Sequence, residues 1–277
     1  MESEKNIFES EGLKIDAERV LTYSQLVCPV ECKYCFVDDL NLNAEQQKGV
    51  SYLSPRQFEL LEKLPETVNL IMLGCDTEFF QSKTEAIEIL KKLAGLNKDL
   101  SVVTKFTLSK DCIEQLGEIN SQLEQHGNFL AFSMSIPCLD SAKIWEPKAP
   151  EPLKRIETLK NVYQDGIKTM VALRPLLPTI TKEELEKTVE LTKDYCYGYY
   201  SGPLYLKNLD KSILGEDLSG LKIEKLQPHW MPEENVFYKI EKEYQVQELR
   251  GILQKHDRPL FEGAAEGIIY LRDHEEH

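Results

Sequence analysis

No uncharged apolar run in the sequence approaches the roughly 18 residues of a membrane-spanning helix, so no span is expected. Basic residues are in short supply: 33 Lys and Arg face 47 Asp and Glu, and the net charge of −14 repels polyanions and argues against non-specific nucleic-acid binding. Histidine is scarce too, and His126, His229 and His256 are too scattered to serve as paired metal ligands. With no second CxxC and no His pair, the two separated pairs of a typical structural zinc site are missing. No low-complexity tract, solenoid-length repeat or Pro/Gly/Ser-rich linker divides the chain. The start MESEKNIFES is too acidic for a secretory signal, which leads us to expect a cytosolic protein. Without an export signal, seven cysteines, an odd number, suggest metal or redox use rather than a disulfide framework.

What the chain does have is ample core material, 42% apolar residues, arranged in a regular alternation. Short β-branched or aliphatic runs at Val20 to Ser24, Val68 to Leu73, Leu100 to Thr104, Phe129 to Ser135, Lys168 to Leu173 and Pro203 to Leu206 read as strands, with amphipathic helices between them. Helix punctuation agrees: Ser54 with Gln57 and Thr181 with Glu184 read as capping boxes, and Gly127 and Gly166 stand where C-terminal caps belong. Six βα units imply a parallel sheet, either an open three-quarter (β/α)6 barrel or a doubly wound sheet, and in both ligands bind at the carboxyl ends of the strands. We expect residues 1–206 to form this core. Residues 207–277, with a helix from about Glu234 to His256 and a terminal apolar run from Gly267 to Leu271, should form an extension that caps the open edge or mouth, with substrate binding as one use.

The run CPVECKYCF, just past the first strand, carries Cys28, Cys32 and Cys35 in CxxxCxxC spacing. Three thiolates can hold three irons of a [4Fe-4S] cluster and leave the fourth open to a small ligand. Zinc and mere packing of small apolar thiols are the alternatives. Lys143, Lys148, Lys154 and Arg155 cluster in sequence, as do Lys207, Lys211, Lys222 and Lys225, but acids interrupt both groups and a solvated surface is expected.

CxxxCxxC with an aromatic, Tyr34, before the last cysteine resembles the signature of the radical S-adenosylmethionine superfamily, over about residues 18 to 206. The match is closer to the spore photoproduct lyases: Phe36 follows the motif, Thr104 and Lys105 end the third strand, Phe132 to Ser135 form the fourth as FSMS, and an EPxxPxPxKRI run spans Glu146 to Ile156. The resemblance implies a partial barrel, a [4Fe-4S] cluster, and S-adenosylmethionine cleaved by one electron to a 5′-deoxyadenosyl radical that abstracts hydrogen from substrate. It implies a reductant such as flavodoxin or ferredoxin. The protein's share would be orientation and protection.

By the same resemblance the backbone beside Tyr34 meets adenine. The end of the second strand, here GCDTEFF in place of the usual GGE, meets the methionine amine, with Thr77 and Glu78 as candidates and a helix-start acid as the alternative for Glu78. Lys105 would pair with the methionine carboxylate, Ser133 and Ser135 would reach the ribose from the barrel interior while Phe132 and Met134 pack outward, and Arg174 is a further cofactor contact or a structural ion pair. Cys75 falls near the position of the lyases' hydrogen-donating cysteine, with Cys138 as a second candidate and buried packing as the alternative for both. Cys112 and Cys196 read as packing residues. The lyases' lesion-binding hairpin has no clear counterpart, and Tyr197, Tyr199, Tyr200 and Tyr205 either stack a base or line a core, with the core expected for at least two because strand aromatics usually pack. The substrate stays open between a nucleic-acid lesion, which the net charge disfavours, and a peptide or small metabolite. A non-catalytic electron carrier or sensor, and a zinc-stabilised interaction protein, are the competing classes.

Overall fold

The structure, a computed structural model, describes residues 7–24, 26–37, 51–228 and 235–273. A hairpin of β1 (Leu13–Asp16) and β2 (Arg19–Thr22) opens an eight-stranded sheet. Parallel to β2 run β3 (Leu70–Leu73), β4 (Asp99–Thr104), β5 (Leu130–Ser135), β6 (Lys168–Leu173) and β7 (Gly198–Ser201), each beside its predecessor. A two-residue strand β11 (Leu260–Phe261) adds parallel to β7, leaving β1 and β11 as the edges. This is the partial barrel expected from the alternation, and five of the six expected strands fall where the apolar runs lie.

Central strands β4, β5 and β6 are buried almost throughout, which requires cover on both faces. Leu100, Val102, Phe132, Met134, Val171, Leu173 and Tyr199 join the core beneath the outer helices. On the inner face Leu70, Ala131, Met170, Ala172 and Tyr200 pack against Phe261, Ile268 and Leu271. The last two belong to a helix, Ala264–Asp273, so the apolar run at 267–271 is a plug lying against the concave face of the barrel. Its approach depends on Gly267, where a Cβ would stand 2.3 Å from the Met170 Cε. Arg272 locks the plug by an ion pair of 2.6 Å to the buried Asp99 at the start of β4. Its lock lies at the amino end of the sheet and leaves the carboxyl end to the cysteine loop.

Local signals behave as read, with one refinement. Ser54 and Gln57 form a reciprocal capping box before helix Pro55–Leu61. Gly127 and Gly166 take left-handed conformations at φ 73° and 82°. Thr181 caps Lys182–Thr192, but the Glu184 carboxylate does not reach back to it; it accepts the backbone N–H groups of Leu139 (2.7 Å) and Asp140 (2.9 Å) and holds the loop after β5. Gly74, just past β3, combines φ 83° with a Cβ position only 2.5 Å from the Val103 carbonyl oxygen. Gly74→Ala should therefore cost about 1–3 kcal/mol from the backbone conformation alone, and more with the clash. An unchanged chemical-denaturation midpoint would show that this corner can relax.

Two expectations for the second half are corrected. The sixth parallel strand is Gly198–Ser201, whereas Leu204–Leu206 forms β8 of a separate antiparallel sheet ordered β8-β10-β9, with β9 at Leu221–Leu226 and β10 at Phe237–Lys242. Tyr199 and Tyr200 are core residues, and their alternation makes the strand: Tyr199 faces the outer core and Tyr200 the inner. The helix expected from about Glu234 is instead β10 followed by a shorter helix, Gln245–Gln254; Glu234 and His229 lie outside the described residues. Tyr244, at φ 62°, breaks the chain between strand and helix, and buried Phe237 and Ile240 favour the extended form.

Candidate functional site

The cysteine loop leaves the sheet at the carboxyl end of β2, and its base is clamped by an acid that the sequence did not single out. Asp76, after β3, accepts the Ser24 backbone N–H at 2.7 Å and the Ser24 hydroxyl at 3.2 Å. Gln81 ties the other side, donating to the Val27 carbonyl at 3.1 Å and to the Thr77 hydroxyl at 2.7 Å, so Thr77 acts on the loop through Gln81. Within the loop Cys35 N–H donates to the Cys32 carbonyl at 3.0 Å. Cys28, Cys32 and Cys35 are free thiols of intermediate exposure. Burial raises the pKa of Cys35 to about 11, with Cys32 and Cys28 adding to the rise. Burial raises Cys32 too, opposed by the Lys105 ammonium. Among the described residues no three Cys, His, Asp or Glu side chains form a single-ion metal site.

Facing the loop are the residues expected from β4 to β7. Lys105 donates to the Ser135 hydroxyl at 2.9 Å and lies 5.6 Å from the Tyr34 ring centroid. Burial opposes its charge, but Cys32 and Glu146 outweigh it and hold the Lys105 pKa above the ordinary lysine value. Ser133 and Ser135 share the inner face, and Ser133 Oγ is buried without a hydrogen bond of good geometry. Its neighbour is the Tyr200 hydroxyl, whose environment also includes Arg174, Lys105 and Cys75. Arg174, expected as a cofactor contact with an ion pair as the alternative, is exposed, lies against Gly202 and Gly263, and donates to the Glu262 carbonyl at 3.1 Å.

Glu78 is buried, at 5% exposure, and its carboxylate is occupied by three donors: the Phe80 N–H at 3.1 Å, the Lys105 N–H at 2.8 Å and the Thr104 hydroxyl. It caps the turn Phe79–Gln81 and fixes the corner that presents Lys105, the helix-start alternative made concrete. Cys75 points its thiol at the Met72 carbonyl, 3.4 Å away, and burial with the adjacent Asp76 pushes its pKa up to about 12. Cys138 is 1% exposed behind Tyr34, beside Glu146 and Arg155. Cys112 and Cys196 are buried packing residues, as read.

The largest departure from the sequence reading is Arg155. Expected on a solvated surface, it is 0% exposed and donates to Glu146 Oε2 at 2.5 Å and to the Ser135 carbonyl at 2.8 Å. Glu146 is equally buried; its other oxygen accepts the Tyr34 hydroxyl and lies 3.7 Å from the Lys105 ammonium. Lys33 N–H to the Trp145 carbonyl, 2.8 Å, joins the same two segments through the backbone. The EPxxPxPxKRI run contained both residues, but an acid and a base nine apart carry no periodicity that announces a buried pair.

This donor set fits an iron–sulfur cluster and a ligand that bears a carboxylate: three partly exposed thiols near one another, an adjacent ammonium, and a buried serine hydroxyl beside the Tyr200 hydroxyl. No protein-family model matches the chain. An uncharacterised protein, ORF301, of Acidianus two-tailed virus is 24% identical over 182 residues, covering 59% of this chain and 58% of the viral protein. Among solved structures, a spore photoproduct lyase double mutant with bound AdoMet and dinucleoside spore photoproduct is 11% identical and covers 84% of this chain and 72% of its own, with a TM-score of 0.58. Streptococcus suis SuiB bound to precursor peptide SuiA is 13% identical and covers 100% of this chain and 56% of its own, with a TM-score of 0.55. The chain thus spans little more than half the length of the viral protein and of SuiB. Its fold is the partial barrel of the radical S-adenosylmethionine enzymes.

Proposed function

We propose that the chain is a radical S-adenosylmethionine enzyme of the spore photoproduct lyase-like kind. The observation that carries this reading is the convergence of the cysteine loop with Lys105, Ser133 and Ser135 at the carboxyl end of a parallel partial barrel. Cys28, Cys32 and Cys35 would hold a [4Fe-4S] cluster, and Lys105, Ser133, Ser135 and the backbone near Tyr34 would hold S-adenosylmethionine. When bound, these groups supply a 5′-deoxyadenosyl radical, with flavodoxin or ferredoxin as the electron source. The chain's residues do the rest: Glu78 fixes Lys105, Asp76 and Gln81 steady the loop, and the apolar inner wall with its plug excludes water.

Cys75 is the candidate hydrogen donor of this reading. Its thiol, with a pKa near 12, stays protonated at neutral pH, as a hydrogen-atom donor must, and it shares the Tyr200 environment with Ser133 and Lys105. Anaerobic reconstitution, reduction and assay for 5′-deoxyadenosine test the chemistry; an intact reduced cluster that leaves S-adenosylmethionine uncleaved would sink the reading. Cys75→Ala should leave iron content and cofactor cleavage near wild type while diverting the product radical. An unchanged product would reduce Cys75 to packing.

One observation favours a peptide or small metabolite over a nucleic-acid lesion. Around Tyr205 the cations Lys239 and Arg174 are met by Glu241 and Glu224, and Lys239 is paired to Glu241 at 2.8 Å, which leaves no uniformly basic path there for a phosphate backbone. Equilibrium binding of a short thymidine oligonucleotide at two salt concentrations separates the two: tight, strongly salt-dependent binding would restore the lesion reading.

A further inference from the structure

The buried side chains of Lys105, Glu146 and Arg155 sum to +1 and lie beside a second buried carboxylate, Glu78, which acts on Lys105 more weakly. Glu146 supplies one negative charge, while Lys105 at 3.7 Å and Arg155 at 2.5 Å supply two positive ones. Glu146 and Arg155 are both 0% exposed at the side chain and Lys105 only 17%, so water screens the surplus poorly. A surplus buried charge is expensive unless an anion compensates it. Glu78 is the anion that acts on Lys105 from outside the group, and at the loop Lys105 and Glu146 are the two charges that act most strongly on the Cys32 thiol. Tyr34, two residues along, donates its hydroxyl to the same Glu146 oxygen that faces Lys105.

We propose that Glu146 is a positioning residue that sets the charge beside the metal-binding loop, offsetting one of two buried cations so that the three side chains sum to +1 beside the Glu78 carboxylate, and thereby setting the reduction potential of the cluster that the loop holds. The inference rests on the reading of Cys28, Cys32 and Cys35 as cluster ligands. The physics is that reduction adds negative charge to the cluster, and net charge nearby is one of the levers that place its potential. Glu146 acts at the same time on three parts of the site: it anchors Arg155, orients the Tyr34 ring, and shares Lys105 with Ser135.

The test is a charge series read by potential, using reconstituted full-length protein and anaerobic redox titration followed by electron paramagnetic resonance. Glu146→Gln keeps the shape and raises the local count to +2, so its midpoint should move positive of wild type. Lys105→Met and Arg155→Met lower the count to zero and should both move it negative. The double variant Glu146→Gln with Arg155→Met returns to +1 and should return to the wild-type potential, and it keeps the series decisive if the single Glu146→Gln chain fails to fold. Potentials that ignore this ordering, with clusters intact, would overturn the assignment and leave Glu146 a structural residue. A wild-type chain that assembles no [4Fe-4S] cluster at all would instead remove the functional reading, and the inference with it.

Discussion

Alanine at Cys32 is expected to abolish cluster assembly, leaving close to no iron or acid-labile sulfide per chain after anaerobic reconstitution, and alanine at Cys28 or Cys35 should do the same. A methyl group cannot ligate iron, and the remaining two thiolates cannot hold three irons of a four-iron cluster. Among the described residues neither remaining nearby cysteine is placed to substitute: Cys75 points to the Met72 carbonyl and Cys138 lies buried behind Tyr34. The measurement is iron and sulfide analysis with the visible absorption of the cluster. Normal iron content in any one variant would remove that cysteine from the ligand set. Because the loop is also held by Asp76, Gln81 and Lys33 through contacts that do not involve sulfur, these variants should keep wild-type far-ultraviolet circular dichroism.

Arg155→Ala should be the most destabilising single change outside the cysteines, at about 3–5 kcal/mol, because it takes the closer cation from the buried Glu146 and leaves only Lys105 at 3.7 Å and the Tyr34 hydroxyl. It also removes the donor to the Ser135 carbonyl at the end of β5. Against a total stability of about 5–15 kcal/mol, such a loss lowers the denaturation midpoint severely. Lys154→Ala, one residue earlier on an exposed position of the same helix, should change stability by no more than about 0.5 kcal/mol. If the two variants unfold alike, the Arg155 guanidinium is better solvated than its surroundings imply.

The contrast between Lys154 and Arg155 shows what a linear reading can and cannot reach. Strands β2 to β6 were legible because their apolar residues recur with period two or fill whole runs, and helix starts because Ser54 and Thr181 announce them locally. The strand Gly198–Ser201 was missed because the neighbouring run Pro203 to Leu206 reads as the strand, and although at least two of the tyrosines are expected in a core, only the sheet tells which face each takes. Of the site, CxxxCxxC and the strand-end Lys105, Ser133 and Ser135 could be placed, since position in a βα unit fixes which end and which face they occupy. Asp76, Glu146 and Arg155 could not. Asp76 and Glu146 act through partners distant in sequence, 52 residues for Asp76 with Ser24 and 112 for Glu146 with Tyr34, and Arg155 meets Glu146 at a spacing of nine that no helix or strand period marks.

The plug helix carries a kinetic consequence. Arg272 meets Asp99 across 173 residues, and the inner faces of β3 to β7 gain their apolar cover only when Ile268 and Leu271 arrive. Contacts this remote form late, because loop closure must precede any reward from burial. Until then Leu70, Met170 and Tyr200 face solvent in a half-made trough, a sticky intermediate of the kind that aggregates during fast synthesis. Slow expression at low temperature, which gives the far end of the chain time to find its trough, should therefore raise the yield of dispersed protein.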